Sequence, residues 1–449
     1  MEKENKLGTM PISKLIINMS LPIIISMLVQ ALYNIVDSVF VSRVCEQALT
    51  AVSLAFPAQN LMIGLATGTA VGVNALMGRA LGAKDQERAN AVAINGVFLA
   101  VVGFAICAVL ALLFAGPFFR SQTQIDYIVE NGTDYLLVCC CGSLGLFCEI
   151  MFERLLQGTG RSILSMYTQG LGAIVNIVLD PIFIFVLDMG VTGAAVATVI
   201  GQFCGCILAL IFNLKKNEEI HLQFRGFRPN WRLVGNIYAI GLPSVIMVAI
   251  GSVMTFCMNK ILIAYHSAKE TAATAFGIYF KLNSFIFMPV FGLNNGMVPI
   301  ISYNYGARRP NRVKKTIKLA VCYAEGIMLA GFCIFQFAPR QVLSIFAASD
   351  AMLAIGIPAM RIICLHFLLA GVSIVLSSVF QALGNGVFSL IVSVCRQLFV
   401  LLPAAWLLAQ TGSVNNVWWA FLIAEFVSVL MSLAFYARIN KTTIAPLYH

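Results

Sequence analysis

Asp37 and Asp180 stand inside apolar stretches of a 449-residue chain, each beside residues that offer neutral oxygens. In YNIVD, Tyr33, Asn34 and Asp37 follow at spacings that put all three on one helical face. In VNIVLDPIFIF, Asn176 and Asp180 lie one helical turn apart and Pro181 follows at once. Proline has no N–H, so the carbonyl of Ile177 loses its helical partner there. A third stretch, GAAVATVIGQ, sets Thr198 and Gln202 one turn apart among small residues that let helices approach closely. Two carboxyls with carboxamide, hydroxyl and carbonyl oxygens suit a small hard cation, either a proton shared between the acids or a sodium ion. An ionised carboxylate at the middle of a bilayer costs about 2.5–3.5 kcal/mol, so such acids are expected to face a partner or a cavity. The bland alternative is that Asp37 and Asp180 only cap or pair locally.

The elements that must position these groups are membrane helices. Hydrophobic residues make up 60% of the chain, charged residues 11%, and the mean hydropathy is +0.89. Apolar runs of spanning length, about 20 residues each, recur throughout. They predict twelve helices, near 12–42, 47–76, 86–114, 124–157, 160–187, 191–214, 236–264, 271–300, 314–338, 352–383, 386–410 and 416–437. The fold class expected is an all-α integral membrane protein. The first run is too long for a signal-peptide core and lacks a small-residue cleavage site after it, so it is expected to remain as a helix. Twelve of the thirteen cysteines fall in apolar segments and show neither a disulfide framework nor zinc spacing. Basic residues crowd the segments between alternate helices, with Arg43, Arg120, Lys269 and Arg340 on the opposite side. That bias predicts both termini in the cytoplasm and a multi-pass location in the cytoplasmic (inner) membrane. The net charge of +10 is mostly this topology signal plus attraction to anionic lipid, so no nucleic-acid partner is expected.

The chain is duplicated. SLPIIISMLVQ (20–30) aligns with GLPSVIMVAIG (241–251), GRALGAKDQER (78–88) with SYNYGARRPNR (302–312), and LLQGTG (155–160) with VFQALG (379–384). The last two pairs share one offset, 302 − 78 = 379 − 155 = 224, and the first differs from it by a single three-residue gap. Six helices per half is an even number, which predicts two pseudo-symmetric six-helix bundles in a parallel repeat around a central cavity. The N-terminal lobe is expected over 1–214, a cytoplasmic linker over 215–235 and the C-terminal lobe over 236–449.

Further charges inside the apolar segments divide by half. Glu149 is a cavity candidate, whereas Glu153, one turn on, is expected to pair with Arg154 or with water. In the second half, Arg361 or Arg396 either pairs with Glu325 or Glu425 or faces the cavity, where it would hold an anionic or zwitterionic compound; Lys281 is a further candidate. Met254, Met258, Phe285, Phe287 and Met288 offer a forgiving apolar surface. Asn294 and Asn295, between Pro289 and Pro299, predict a bent, hydrated segment. Lys260 is placed to snorkel, and His366 reads as a hydrogen-bonded packing residue.

The duplication, the paired Gly-Ala loops (GRALGA, 78–83, and SYNYGA, 302–307), QGTG after helix four and NIVLDPIFI in helix five together resemble the multidrug and toxic compound extrusion (MATE) transporters. The resemblance covers essentially the whole chain. It implies a V of two bundles that exports amphipathic, usually cationic compounds in exchange for protons or sodium ions. In the branch that includes the DNA-damage-inducible members, the cation site lies on helices one, five and six. Asp37, Asn176, Asp180 and Thr198 match that pattern, with Tyr33, Asn34, Gln202 and Glu149 as supporting candidates. Another branch relies on acids in helices seven, eight and ten; here helix seven has none, and helix ten carries Arg361 and His366.

The function expected is therefore secondary active export of a small organic molecule by a monomer, with H+ or Na+ as the coupling ion and neither a further cofactor nor a structural metal. The alternative is a flippase for a lipid-linked or anionic precursor. A membrane-embedded enzyme lacks support, since there is no HExxH or GxSxG motif, and the absence of GxxxxGK[ST] argues against ATP as a partner.

Overall fold

The computed structural model describes residues 4–265, 269–345 and 349–448. Twelve spans follow in chain order: α1 (Ile12–Ser42), α2 (Glu46–Gly82), α3 (Gln86–Gln122), α4, α5 (Ser162–Val186), α6 (Gly190–Lys215), α7 (Trp231–Tyr265), α8 (Lys269–Gly306), α9 (Pro310–Phe337), α10 (Asp350–Ala382), α11 (Gly386–Ala409) and α12 (Val414–Tyr448). α4 is a pair, Asp126–Cys141 and Leu144–Gly158, bent by 45° where one continuous helix was expected. The break falls at Gly142 and Ser143, and α10 carries a 3-10 turn, Cys364–His366, at the equivalent place 224 positions on. The side chain of Lys269 lies outside the described ones. All thirteen cysteines are free thiols.

The two halves repeat down to their turns. Asp85 N–H bonds Ala80 O at 2.9 Å and Arg309 N–H bonds Asn304 O at 2.9 Å, each closing a helix C-terminus through a left-handed residue, Lys84 (φ 59°) or Arg308 (φ 53°). The Arg161 to Leu156 and Asn385 to Phe380 bonds, both 2.7 Å, close α4 and α10 the same way through Gly160 and Gly384. These turns set the angle at which each next helix re-enters the bundle, so their shared geometry carries the six-helix plan from one half to the other.

α1 to α6 pack together, α7 to α12 pack together, and the halves meet through α1 and α2 against α7 and α8. The meeting is tight at the face that carries both chain ends. Gly82 and Gly306 touch across it, since a Cβ on Gly82 would fall on the Tyr303 carbonyl and one on Gly306 on the Arg79 carbonyl. Arg79 donates to Leu383 O at 2.9 Å. Arg312 clasps the N-terminal segment, donating to Leu7 O (3.0 Å) and Met10 O (2.8 Å), while Arg309 pairs with Glu4 at 2.5 Å. Tyr448 donates to Asn311 at 2.7 Å, which places the C-terminus on the same basic loop.

Candidate functional site

The crossing of α5 and α6 builds the first part of the site. Gly172 and Gly201 bring the two backbones together: a Cβ on Gly201 would lie 2.7 Å from the Gly172 carbonyl oxygen. One turn beyond, the Asn176 carboxamide, in the orientation its neighbours satisfy, donates to Asp180 Oδ2 at 3.2 Å and accepts from the Thr198 hydroxyl at 3.0 Å. Asp180 in turn lies beside Asp37 on α1, one carboxyl facing the other. Two carboxyls placed so can share a proton or hold a small cation between them. Asp180 is 0% and Asp37 9% exposed, and Oδ1 of each is buried with no other partner. Pro181 ends the regular helix one residue later, and the chain widens into a π turn, Ile182–Val186, an irregularity common at functional sites.

Asn34 does not join this group. Its side chain is exposed and its carbonyl accepts from Ser38 at 2.9 Å. At 100° per residue, Gln30, Tyr33 and Asp37 span an arc of about 60° with Asp37 between the other two, while Asn34 lies beyond Gln30, about 60° from Asp37 and about 100° from Tyr33.

Asn176 and Thr198 also face a cavity of about 190 Å³, lined further by Tyr33, Glu149, Glu153 and Gln202. Glu149 rests against the glycine crossing, where a Cβ on Gly172 would lie 3.5 Å from its Oε1. Glu153 accepts from the Thr168 hydroxyl at 2.8 Å and leaves Arg154 to Gln157 (3.2 Å), so the expected Glu153–Arg154 pairing is replaced by two separate partnerships.

A second cavity, of about 590 Å³, lies in the C-terminal half. Met254, Phe287, Met288, Asn294, Asn295 and Arg396 line it as expected. Lys281 and Arg361 are exposed and are not among its lining residues. Lys281 stands one residue past the stripe of Phe280, Ser284, Phe287 and Phe291 that faces the cavity. Arg361 lies on α10 just before its 3-10 turn. Met258 is fully buried in the core, and Phe285 is exposed.

Arg396 Nη1 meets Glu425 Oε2 at 3.3 Å, and Ser373 donates to the other Glu425 oxygen. Glu325 instead accepts the backbone N–H of Val372 at 2.9 Å. His366 is buried, stacked on Phe287 with centroids 6.1 Å apart, its Nδ1 at 2.5 Å from Ile363 O. Lys260 lies over the Phe256 ring at 5.6 Å.

Met27 and Asn295 line both cavities, so the two adjoin there. Sequence reasoning missed Ser373, Ser377 and Gln381 as lining residues. The signal was available: Glu149, Glu153 and Gln157 line the first cavity, and adding 224 to each gives those three positions.

Comparison with known proteins agrees with this geometry. The family model described as MatE matches residues 22–182 and 243–407, one segment in each half. The multidrug export protein MepA of Staphylococcus haemolyticus is 26% identical over 435 residues, 96% of this chain and 95% of that protein. An outward-facing structure of a MATE family multidrug resistance transporter superimposes with a TM-score of 0.91 at 28% identity, covering 100% of this chain and 99% of the other. A transporter of the MOP superfamily from Pyrococcus furiosus, described as having a binding pocket of reversed polarity, gives a TM-score of 0.92 at 28% identity, with 100% and 99% covered. With a duplicated twelve-span bundle, two adjoining cavities and a family match in both halves, this chain belongs to the MATE family of membrane transporters.

Proposed function

We propose that the protein exports amphipathic organic compounds, cations among them, driven by protons or sodium ions that enter at the Asp37–Asp180 pair. The observation that carries this reading is the chain Asp37, Asp180, Asn176, Thr198, which joins three helices and ends on a cavity wall. A cation taken up by the pair changes the charge that α5 presents to α1 and, through Asn176, the contact of α5 with α6. Those helices also carry Tyr33, Gly172 and Gln202 on the cavity, so cation binding and cargo binding act on the same three elements. The relatives named as multidrug exporters support the cargo class. The match of all four residues supports the branch with its cation site in the N-terminal lobe.

The closed basic face lies toward the cytoplasm in this reading, both termini with it, in a bacterial cytoplasmic membrane. The cavities then open outward, which suits cargo release and cation entry. Each half folds as its own lobe, 1–214 and 236–449, and the two rock about the contacts of α1 and α2 with α7 and α8. Since both cavities lie within one chain, a monomer suffices.

The test is ethidium movement in liposomes holding purified protein under an imposed pH or sodium gradient. Gradient-driven movement is expected with the native protein and should vanish in Asp180→Asn. Movement that survives the substitution would remove the pair from the mechanism, and the gradient that works identifies the ion.

A further inference from the structure

We infer that the C-terminal cavity is a carboxylate subsite, in which Arg396 holds the acid group of a zwitterionic aromatic compound while its cationic end points past Met27 and Asn295 toward the side that carries Glu149 and Glu153. The inference names a substrate class for the export reading and rests on it only for the direction of movement.

Three independent observations lead there. First, the Arg396–Glu425 pair is lopsided: the guanidinium side chain is 29% exposed and the carboxylate side chain 4%. Glu425 is held from behind by Ser373, and Arg396 commits only Nη1 to it, at 3.3 Å. A guanidinium has five N–H donors in a planar fork, so most of that fork stays open to the cavity it lines. A pair formed only for packing would bury both members alike.

Second, the repeat shows what the C-terminal cavity lacks. Where the first cavity has Glu149 and Glu153, the second has Ser373 and Ser377. Removing two carboxylates from equivalent positions leaves the first cavity acidic and the second without acids that would repel an anion, apart from the withdrawn Glu425.

Third, two polar atoms of the lining have no partner in the protein. Asn294 Oδ1 and Ser428 Oγ are buried and unsatisfied, on residues 4% and 1% exposed. Buried polar groups are ordinarily hydrogen-bonded: the Ser428 hydroxyl can donate to a carboxylate, while Asn294 Oδ1 only accepts and calls for a donor elsewhere on the ligand. Phe287 and Met288 beside them provide the surface for a flat aromatic body.

The experiment compares equilibrium binding of rhodamine B, which carries a cationic aromatic system and a free carboxylate, with that of its methyl ester. Fluorescence anisotropy is read on purified full-length protein in nanodiscs, without any gradient. The acid is expected to bind about tenfold more tightly than the ester, as one charge-assisted bidentate contact implies. In the neutral, near-isosteric double variant Arg396→Gln with Glu425→Gln that preference should fall to about onefold. Arg396→Lys, a point charge without the fork, should retain only part of the preference. Equal binding of acid and ester by the native protein, or a preference that persists in the double variant, would overturn the inference. Ethidium export without any acid preference sinks the subsite and leaves the export reading standing. An acid preference without gradient-driven export does the reverse.

Discussion

Asp180→Asn is the most informative single change because its size can be worked out beforehand. In the proposed coupling site two facing carboxyls share one proton, since two adjacent carboxylates repel too strongly to ionise together. The Asp37–Asp180 pair can thus exchange one further proton or one monovalent cation per cycle. One charge moved through 100 mV supplies about 2.3 kcal/mol, and each tenfold gradient of an electroneutral cargo costs about 1.4 kcal/mol. The ceiling for a zwitterion such as rhodamine B is therefore roughly 45-fold accumulation at that potential. The asparagine keeps the shape, can still face Asn176, and donates an N–H toward Asp37, so stability should change by no more than about 1 kcal/mol. Asp37 is left as a lone carboxylate that no longer shares a cation with α5, so cation binding is uncoupled from the α1–α5 contact and accumulation should fall to about onefold. The assay is steady-state accumulation in proteoliposomes under a potassium diffusion potential of about 100 mV with no pH gradient, with thermal unfolding of both proteins alongside. Native accumulation far above the ceiling would require a second exchanging group, for which Glu149 and Glu153 are placed. A folded variant that still concentrates cargo tenfold would refute the assignment.

Three further outcomes follow from named contacts. Thr198→Val removes the hydroxyl that holds Asn176 and should weaken the cation dependence of transport by roughly fivefold without loss of folding, read as the shift in half-saturating proton or sodium concentration; an unchanged value would show that Asn176 needs no such support. Arg312→Ala loses the bonds to Leu7 O, Met10 O and Asn304 Oδ1, should destabilise the protein by about 2 kcal/mol, and should speed proteolysis ahead of Ile12, whereas native-like resistance would mean the clasp is held elsewhere. Gly82→Leu sets a side chain where the Tyr303 carbonyl sits and should part the halves at the basic face. Maleimide labelling of a cysteine placed at Ser302, fully buried here, should rise in that background, and unchanged labelling would show that the contact accommodates bulk.

The first two acids and their partners were legible in the residues because a helix converts spacing into direction. Asn176 with Asp180, and Thr198 with the small residues beside it, needed only a turn of 100° per residue to be placed. The duplication was legible too, through its constant offset, and the matching turns at Lys84 and Arg308 carry it into the backbone. Asn34 shows the limit of the same rule, since a spacing of three leaves a side chain far enough off axis for a neighbouring helix to take one residue and leave the other. Lys281 and Arg361 failed for a related reason: composition places a charge in a span, but only the rotation of that span decides whether it meets a cavity.

What the sequence by itself determined is the membrane, the twelve spans, the repeat and the oxygen-rich character of α1, α5 and α6. These properties depend on apolar run length and local periodicity, which are properties of contiguous residues. The tertiary structure alone decided that Asp37 faces Asp180, that Arg396 is presented while Glu425 is withdrawn, and that two cavities adjoin at Met27 and Asn295. Each of those depends on the tilt and rotation of helices distant in the chain, set by close contacts such as Gly172 on Gly201, and no local pattern encodes an angle between two such helices.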